Sequence, residues 1–145
     1  MNVYPIEMLI TRKVEFSASH ACYNPALAEE ENRTLFGSSA NPHGHGHNYV
    51  LEVTLEGDPD PVTGMIFDLK RMKEIINREV VDHLDHRFLN HEVPPFDRVI
   101  PTAENVAIEI WKRLEPCFRT PNARLYGVRV AETDDLFVDY FGDRA

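Results

Sequence analysis

The sequence predicts an α+β fold, in which a four-stranded antiparallel sheet carries two helices on one face. Two segments in the first half of the chain alternate apolar and polar residues and are rich in β-branched side chains, which is typical of strands. Two later segments repeat apolar residues every three to four positions, which predicts helices, and the chain closes with a hairpin pattern. This order of strands and helices is typical of an α+β layout. The 145 residues are expected to form one domain, residues 1–145.

The first strand is predicted from about Ile6 to His20 and the second from His47 to Glu56. Between them, Ala21–Asn41 forms a connection long enough to be a functional loop or a lid. A cluster of turn residues starting at Gly57 ends the second strand, and Gly64–Phe67 has the composition of a further short strand.

Two helices and a hairpin complete the predicted fold. Asp68 is the expected N-cap of the first helix, whose apolar stripe continues to about Val80. Thr102 is the expected N-cap of the second helix, which ends near Glu115 because a proline follows. Two aspartates then join the final pair of strands in a hairpin, predicted at Leu125–Thr133 and Leu136–Gly142.

Composition excludes several kinds of function. The formal net charge is −9, from 15 basic and 24 acidic residues, which argues against a nucleic-acid partner. No apolar run approaches the length of a membrane span, so no membrane partner is expected. The N-terminus lacks the pattern of a secretory signal, which makes a cytoplasmic location the default expectation. Two cysteines, Cys22 and Cys117, do not suggest a disulfide framework.

Three histidines at alternate positions, His43, His45 and His47, are separated by glycines just before the second strand. Side chains alternate faces along a strand, so His45 and His47 are expected to point to the same side. If the first two strands are antiparallel neighbours, His20 at the end of the first lies beside them. Three neutral imidazoles with an open fourth position are typical of catalytic zinc. The alternative is that His20 merely ends a strand and the Gly-His run is a polar loop.

The whole chain resembles the 6-pyruvoyl-tetrahydropterin synthase family, which includes the 6-carboxy-tetrahydropterin synthases of the queuosine pathway. The resemblance is carried by motifs that occur in this order: Phe16-Ser-Ala-Ser-His20, Leu35-Phe-Gly, Asn41-Pro-x-Gly-His45-Gly-His47-Asn-Tyr49, Asp60-Pro-Val-Thr-Gly-Met65, Leu84-Asp-His86, Thr102-Ala-Glu-Asn-Val106 and Glu132-Thr-Asp134. It implies a tunnelling-type fold whose sheets join into a barrel, assembled as a homohexamer from two trimers. The pterin pocket would then lie at a subunit boundary, with Glu132 and the zinc site of one pocket contributed by different chains.

The resemblance also implies an activity and a cofactor. The substrate would be 7,8-dihydroneopterin triphosphate, a small-molecule pterin triphosphate, which loses its triphosphate to give 6-pyruvoyl-tetrahydropterin. Zinc would be held by His20, His45 and His47, and it would acidify the adjacent C–H of the substrate side chain. Spacing alone, without the resemblance, supports only a metal site with nearby acid–base groups.

Further site residues follow from the same resemblance. Asp85 and His86 match the catalytic pair, in which the carboxylate orients the imidazole for proton transfer. Glu132 matches the pterin anchor, since a carboxylate can accept two parallel hydrogen bonds from the ring. Thr102 and Glu104 match accessory pterin contacts.

One position departs from the family pattern. Synthases that make the pyruvoyl product carry a cysteine two residues before the Asn-Pro, and Ser39 occupies that position here. A serine hydroxyl is a much weaker acid than a thiol, so it does not readily serve as an anionic base. Four explanations remain open: a serine substituted for a natural cysteine, proton transfer by Asp85 and His86 with or without Ser39, a surrogate thiol at Cys22, or pterin binding without conversion. A different pterin side-chain lyase, with a 6-carboxy or 6-hydroxymethyl product, is the enzymatic alternative.

Overall fold

The computed structural model describes residues 8–143, so Ile6 at the predicted start of the first strand lies outside the described residues. Six strands are present in this range: β1 Leu9–His20, β2 His45–Gly57, β3 Arg87–Phe88, β4 Arg119–Thr120, β5 Ala123–Thr133 and β6 Leu136–Tyr140. Five α-helical segments accompany them: α1 Glu29–Phe36, α2 Leu69–Ile76, α3 Asp82–Leu84, α4 Leu89–Glu92 and α5 Ala103–Leu114. A π-helical segment, Asn77–Val81, joins α2 to α3, and 3₁₀ turns lie at Gly37–Ala40 and Glu115–Cys117.

The strands form one mixed sheet in the order β3-β1-β2-β5-β4, with β6 also paired to β5. The four long strands are those that the sequence predicts. The expectation of four purely antiparallel strands is wrong in two respects, because β3 and β4 add two short strands and β3 runs parallel to β1. Each of these strands has two residues, too few to show the alternation by which strands are recognised in a sequence.

Register between β1 and β2 places the histidines together. His20 pairs with His45, Ala18 with His47 and Phe16 with Tyr49, all in one antiparallel ladder. Cross-strand partners point to the same face of a sheet. The small Ala18 side chain opposite His47 leaves room for the three imidazoles to approach one another.

A hydrophobic core lies between this face of the sheet and the helices. The buried stripes of α2 and α5 belong to the same apolar cluster as β1, β2 and β5, so the two longer helices predicted from the sequence do cover one face. Asp68 and Thr102 act as N-caps, as predicted: their side chains accept hydrogen bonds from the backbone N–H groups of the first turn. None of the described helices is long and apolar enough to cross a membrane.

Residues Gly64–Phe67 are not a strand, which corrects the sequence-based prediction. Gly64 and Met65 have no regular structure, and Ile66 and Phe67 form a bend and are buried in the core. The Ile66 carbonyl accepts a hydrogen bond from the Asn122 side chain at 3.1 Å. Since a side chain satisfies this backbone group, the segment needs no neighbouring strand.

Candidate metal centre

Three imidazole nitrogens converge at the ends of β1 and β2. The Nε2 atom of His20 lies 3.1 Å from Nε2 of His45 and 3.2 Å from Nε2 of His47. One ligand atom from each residue lies within 4.8 Å of the others, which is close enough for a single metal ion. Uncharged imidazole nitrogens are ligands that zinc prefers. The structure therefore brings together the three histidines that the strand pattern predicts, as a candidate metal centre.

The main chain before α5 fixes the orientation of the His20 ring. Nδ1 of His20 lies 2.6 Å from the Pro101 carbonyl oxygen, which can only accept a hydrogen bond. The proton is therefore on Nδ1, and the lone pair on Nε2 points toward the other two imidazoles. Burial lowers the pKa of His20, which is 2% exposed, and also the pKa of His47. Both shifts favour the neutral form that binds a metal.

Glu132 lies beside this centre in the same chain. It follows Ala131, which pairs with Val50 on β2. Its carboxylate oxygens are 4.0 Å from Nε2 of His20 and 3.8 Å from Nε2 of His47. Within one chain, Glu132 and the histidines thus form a single cluster. The prediction that Glu132 and the zinc ligands of one pocket come from different chains is therefore not required by the geometry.

Asp85 and His86 form a pair at the outer edge of β1. Asp85 accepts the Ser17 N–H at 2.8 Å, and its other carboxylate oxygen is 2.9 Å from Nδ1 of His86. The hydrogen bond from Ser17 is the largest cause that holds the pKa of Asp85 below its ordinary value. The His86 side chain is 82% exposed, and its backbone has a φ of 60°.

The groove next to His86 lies on the sheet face away from the helices. It has a volume of about 510 Å³ and is also lined by Ser17 and Asn48. These two side chains alternate with the residues of the imidazole face and hydrogen-bond each other at 2.7 Å. The groove is also lined by His47, so within one chain it runs from the Asp85–His86 pair to one imidazole of the candidate centre.

Ser39 lies in a short 3₁₀ turn, Gly37–Ala40, within the connection between β1 and β2. Its carbonyl accepts the Cys22 N–H at 2.7 Å, which holds this turn against the end of β1. Cys22 itself is buried, with its sulfur 3.9 Å from Nδ1 of His20. Burial raises the pKa of Cys22 to about 11, so its thiol is protonated at neutral pH and is a poor surrogate base.

Thr102 and Glu104 stand at the first turn of α5, next to Pro101. Thr102 is half-buried and caps the helix by accepting the Asn105 N–H at 3.2 Å. The Glu104 side chain is exposed, and its charge contributes to the raised pKa of Cys22. Both residues therefore lie directly after Pro101, whose carbonyl is bonded to the His20 ring.

Several features of this region have no clear sequence signal. Helix α1 lies in the predicted connection and is polar, and Asn32 is its one buried residue. The sequence of this segment therefore lacks the apolar repeat that predicts a helix. A cavity of about 1060 Å³ beside it is lined by the connection and contains none of the predicted site residues. Pro101 acts through its main-chain carbonyl, which every residue type has, so its role cannot be predicted from the sequence.

Fold and site together define an α+β protein with a candidate three-histidine metal centre flanked by a carboxylate. The family model of 6-pyruvoyl tetrahydropterin synthase matches residues 9–143, and the chain belongs to this family.

Proteins similar to this chain carry two different enzyme names. The chain is 44% identical over 134 residues to a 6-pyruvoyl tetrahydrobiopterin synthase of Homo sapiens, covering 92% of this chain and 91% of that one. It is 25% identical to a 6-carboxy-5,6,7,8-tetrahydropterin synthase of Rickettsia conorii, with 89% and 96% covered. The solved structure of the Caenorhabditis elegans 6-pyruvoyl tetrahydropterin synthase superposes with a TM-score of 0.88 at 38% identity, over 94% of this chain and 96% of that chain.

Proposed function

We propose that this chain is a zinc-dependent lyase that eliminates triphosphate from 7,8-dihydroneopterin triphosphate to give 6-pyruvoyl-tetrahydropterin. Membership of the synthase family supports the activity. The convergence of three Nε2 atoms beside Glu132 is the observation that carries the metal-dependent chemistry. A cytoplasmic location stays a prediction from the sequence.

The donor set fits zinc. Three uncharged imidazoles leave a fourth position open, as in catalytic zinc sites, and Pro101 supplies the outer hydrogen bond that such ligands need. When bound, zinc supplies Lewis acidity to oxygens of the substrate side chain. His20, His45 and His47 are its proposed ligands.

Two carboxylates of the chain are proposed to contact different parts of the substrate. The pyrimidine edge of a pterin lies at the opposite end of the ring system from the side chain that reacts. Glu132, 3.8 Å from Nε2 of His47, is placed to contact the side-chain end and to accept or hold a proton there. This position favours that role over the ring anchor implied by the resemblance. Glu104, exposed at the start of α5 and joined there by Thr102, is the better placed contact for the ring.

The Asp85–His86 pair is proposed to serve the pocket of a neighbouring subunit. In its own chain it lies at an open groove that His47 also lines, and 82% of the His86 side chain is exposed. A homohexamer, a dimer of trimers, supplies the neighbour, and the pair would then move a proton within its pocket. Asp85 holds Nδ1 of His86 and leaves Nε2 for that transfer.

Serine at position 39, where the family pattern has a cysteine, favours a second candidate function. If the missing thiolate is essential for the pyruvoyl product, the chain is a different pterin side-chain lyase or a pterin-binding protein that has lost turnover. A buried Cys22 with a raised pKa does not replace the base. Glu132 and the Asp85–His86 pair are the groups that remain for proton transfer.

The test is incubation of the zinc-loaded protein with 7,8-dihydroneopterin triphosphate, with triphosphate release followed and the pterin product identified by mass. The proposal predicts stoichiometric triphosphate and the pyruvoyl product. A 6-carboxy or 6-hydroxymethyl product would assign the alternative lyase. Activity that appears only in Ser39→Cys would identify a synthase that lacks its base. No triphosphate release from either protein would refute the lyase assignment.

A further inference from the structure

The side-chain amide of Asn90, a residue that is 6% exposed, hydrogen-bonds to the backbone directly after His20. Its side-chain oxygen accepts the Ala21 N–H at 2.9 Å, and its side-chain NH₂ donates to the Ala21 carbonyl at 2.8 Å. One amide therefore holds both backbone polar groups of the residue between His20 and Cys22. Without this contact the backbone groups of Ala21 and the buried amide would lose these partners, so the contact holds the end of β1 in place.

The next backbone group carries the connection further. The Cys22 N–H donates to the Ser39 carbonyl at 2.7 Å. Ala21 and Cys22 are thus held from two sides, by Asn90 and by the turn that contains Ser39. A shift of Ala21 would move both His20 on one side and the Ser39 turn on the other.

Asn90 is also the last residue of a segment, residues 85–90, that runs along the outer edge of β1. The segment begins at Asp85 and His86, which both bond to the backbone of Ser17. It continues through β3, whose residues pair with Ala18 and Ser19. The attachment therefore follows β1 residue by residue toward His20 and ends at Asn90.

A second side chain of this segment packs against the other histidine-bearing strand. The Phe88 ring lies against Gly44, where an added Cβ would approach it to 2.9 Å, and Gly44 has a φ of 74°. The start of β2 at His45 is thus also bounded by this segment. The segment that carries the Asp85–His86 pair consequently touches both strands of the centre.

We infer that Asn90 is a positioning residue for the metal centre, acting through Ala21 on His20 and on the Ser39 turn. Pro101 orients the His20 ring, and Asn90 fixes the backbone from which that ring projects. The inference rests on the proposed metal site. Asn90 does not contact a metal ligand. Its hydrogen bonds to the Ala21 backbone act on His20 indirectly, by fixing the neighbouring residue.

Cobalt(II) is the probe, because its visible absorption reports the geometry of the ligands around it. The full chain, Asn90→Ala and Asn90→Asp are titrated with Co²⁺ and their spectra recorded. The aspartate keeps the shape and the acceptor for the Ala21 N–H but loses the donor to the Ala21 carbonyl. Asn122→Ala is the matched control, since Asn122 donates to the carbonyls of Asp58 and Ile66 near the opposite end of β2.

The inference predicts that Asn90→Ala weakens Co²⁺ binding by about tenfold or more and changes the spectrum, with a smaller effect of Asn90→Asp. Asn122→Ala should lower thermal stability but keep the affinity and spectrum of the unmodified protein. Unchanged affinity and spectrum in a folded Asn90 variant would overturn the inference, and so would equal weakening by Asn122→Ala. If Asn90→Ala does not fold, Asn90→Asp decides. Absence of Co²⁺ binding by the unmodified protein would contradict the metal site itself, which is a different result.

Discussion

The two predicted reactive regions of this chain are built in opposite ways. The imidazole cluster of His20, His45 and His47 projects from paired positions on two long strands, and His20 is 2% exposed. The Asp85–His86 pair sits on a short segment at the edge of β1, with 82% of the His86 side chain exposed. The first region is held by the register of a sheet, and the second by hydrogen bonds to the backbone of Ser17.

The difference indicates which part of the site one chain can complete alone. A cluster with short distances between its nitrogens, in which His20 is buried and has a fixed tautomer, is already arranged for a metal. The His86 imidazole is 82% exposed at an open groove, so it acquires an enclosed pocket only when something covers it. The three imidazoles are therefore brought together within one chain, whereas the pair is the part for which we propose a neighbouring subunit.

The largest expected effect comes from removing the cluster. In the double variant His45→Ala, His47→Ala, zinc content should fall to background and activity by about 10⁴-fold or more, because the metal supplies several kcal/mol of stabilisation. Elemental analysis after dialysis and the triphosphate assay measure the two quantities. Full zinc occupancy in this variant would refute the ligand assignment.

Glu132→Gln should separate acid–base function from metal binding. The amide keeps the shape but neither carries the charge nor accepts a proton, so activity should fall by about 10³-fold. Zinc content should be unchanged, since Glu132 is not a proposed ligand. Loss of zinc in this variant would mean that the carboxylate belongs to the coordination set.

Mixing of variants tests whether the edge pair serves another chain. His86→Ala alone should lose about 10²-fold in activity and keep its zinc. Co-refolded with the inactive His47→Ala chain, it should regain activity, because mixed assemblies contain pockets with one intact copy of each region. If the mixture stays as inactive as its components, the pair does not act across a subunit boundary.

Tyr49→Phe examines how tightly the buried face is packed. Tyr49 is fully buried, stacks on Phe16, and among the described residues its hydroxyl has no hydrogen-bond partner. Removing an unpaired buried hydroxyl should stabilise the protein by about 1 kcal/mol, or about 3 °C in the midpoint of thermal unfolding. The half-buried Tyr140 provides the control, and Tyr140→Phe should not raise the midpoint. A drop for Tyr49→Phe would show that the hydroxyl has a partner.

The smallest effect concerns Asp85. Its pKa is lowered in the folded state, so its ionised form stabilises the fold above the unfolded value of about 3.9. This contribution is lost as the pH falls through the lowered pKa. Asp85→Asn should therefore cost less than about 1 kcal/mol at pH 7, given the partial exposure of the carboxylate. Urea unfolding at pH 7 and at about pH 2 should show a difference that disappears in acid.

Strand alternation was sufficient to predict the histidine cluster, because it depends on side-chain direction and on one antiparallel pairing. The caps Asp68 and Thr102 were predictable for a similar reason, since their role depends on neighbours in the chain. The position of Glu132 was not predictable from local pattern. It depends on the register between β2 and β5, which contains an irregularity after Thr54.

Other features depend on contacts that residue types do not reveal. Asn90 follows an apolar leucine in a short helix, and only the fold shows that it meets Ala21. The two residues of β3 become a strand because the edge of β1 offers them backbone partners. The Gly64–Phe67 segment is apolar enough for a strand, but its side chains enter the core and Asn122 satisfies its backbone.

X-ray absorption at the zinc edge of the purified protein tests the central claim most directly. If His20, His45 and His47 form the metal centre, the spectrum should show only nitrogen or oxygen ligands at about 2.0–2.1 Å, with the multiple scattering of imidazole rings. The buried Cys22 sulfur, 3.9 Å from the His20 ring, makes the measurement discriminating. A sulfur ligand at about 2.3 Å, or protein that binds no zinc, would contradict the account.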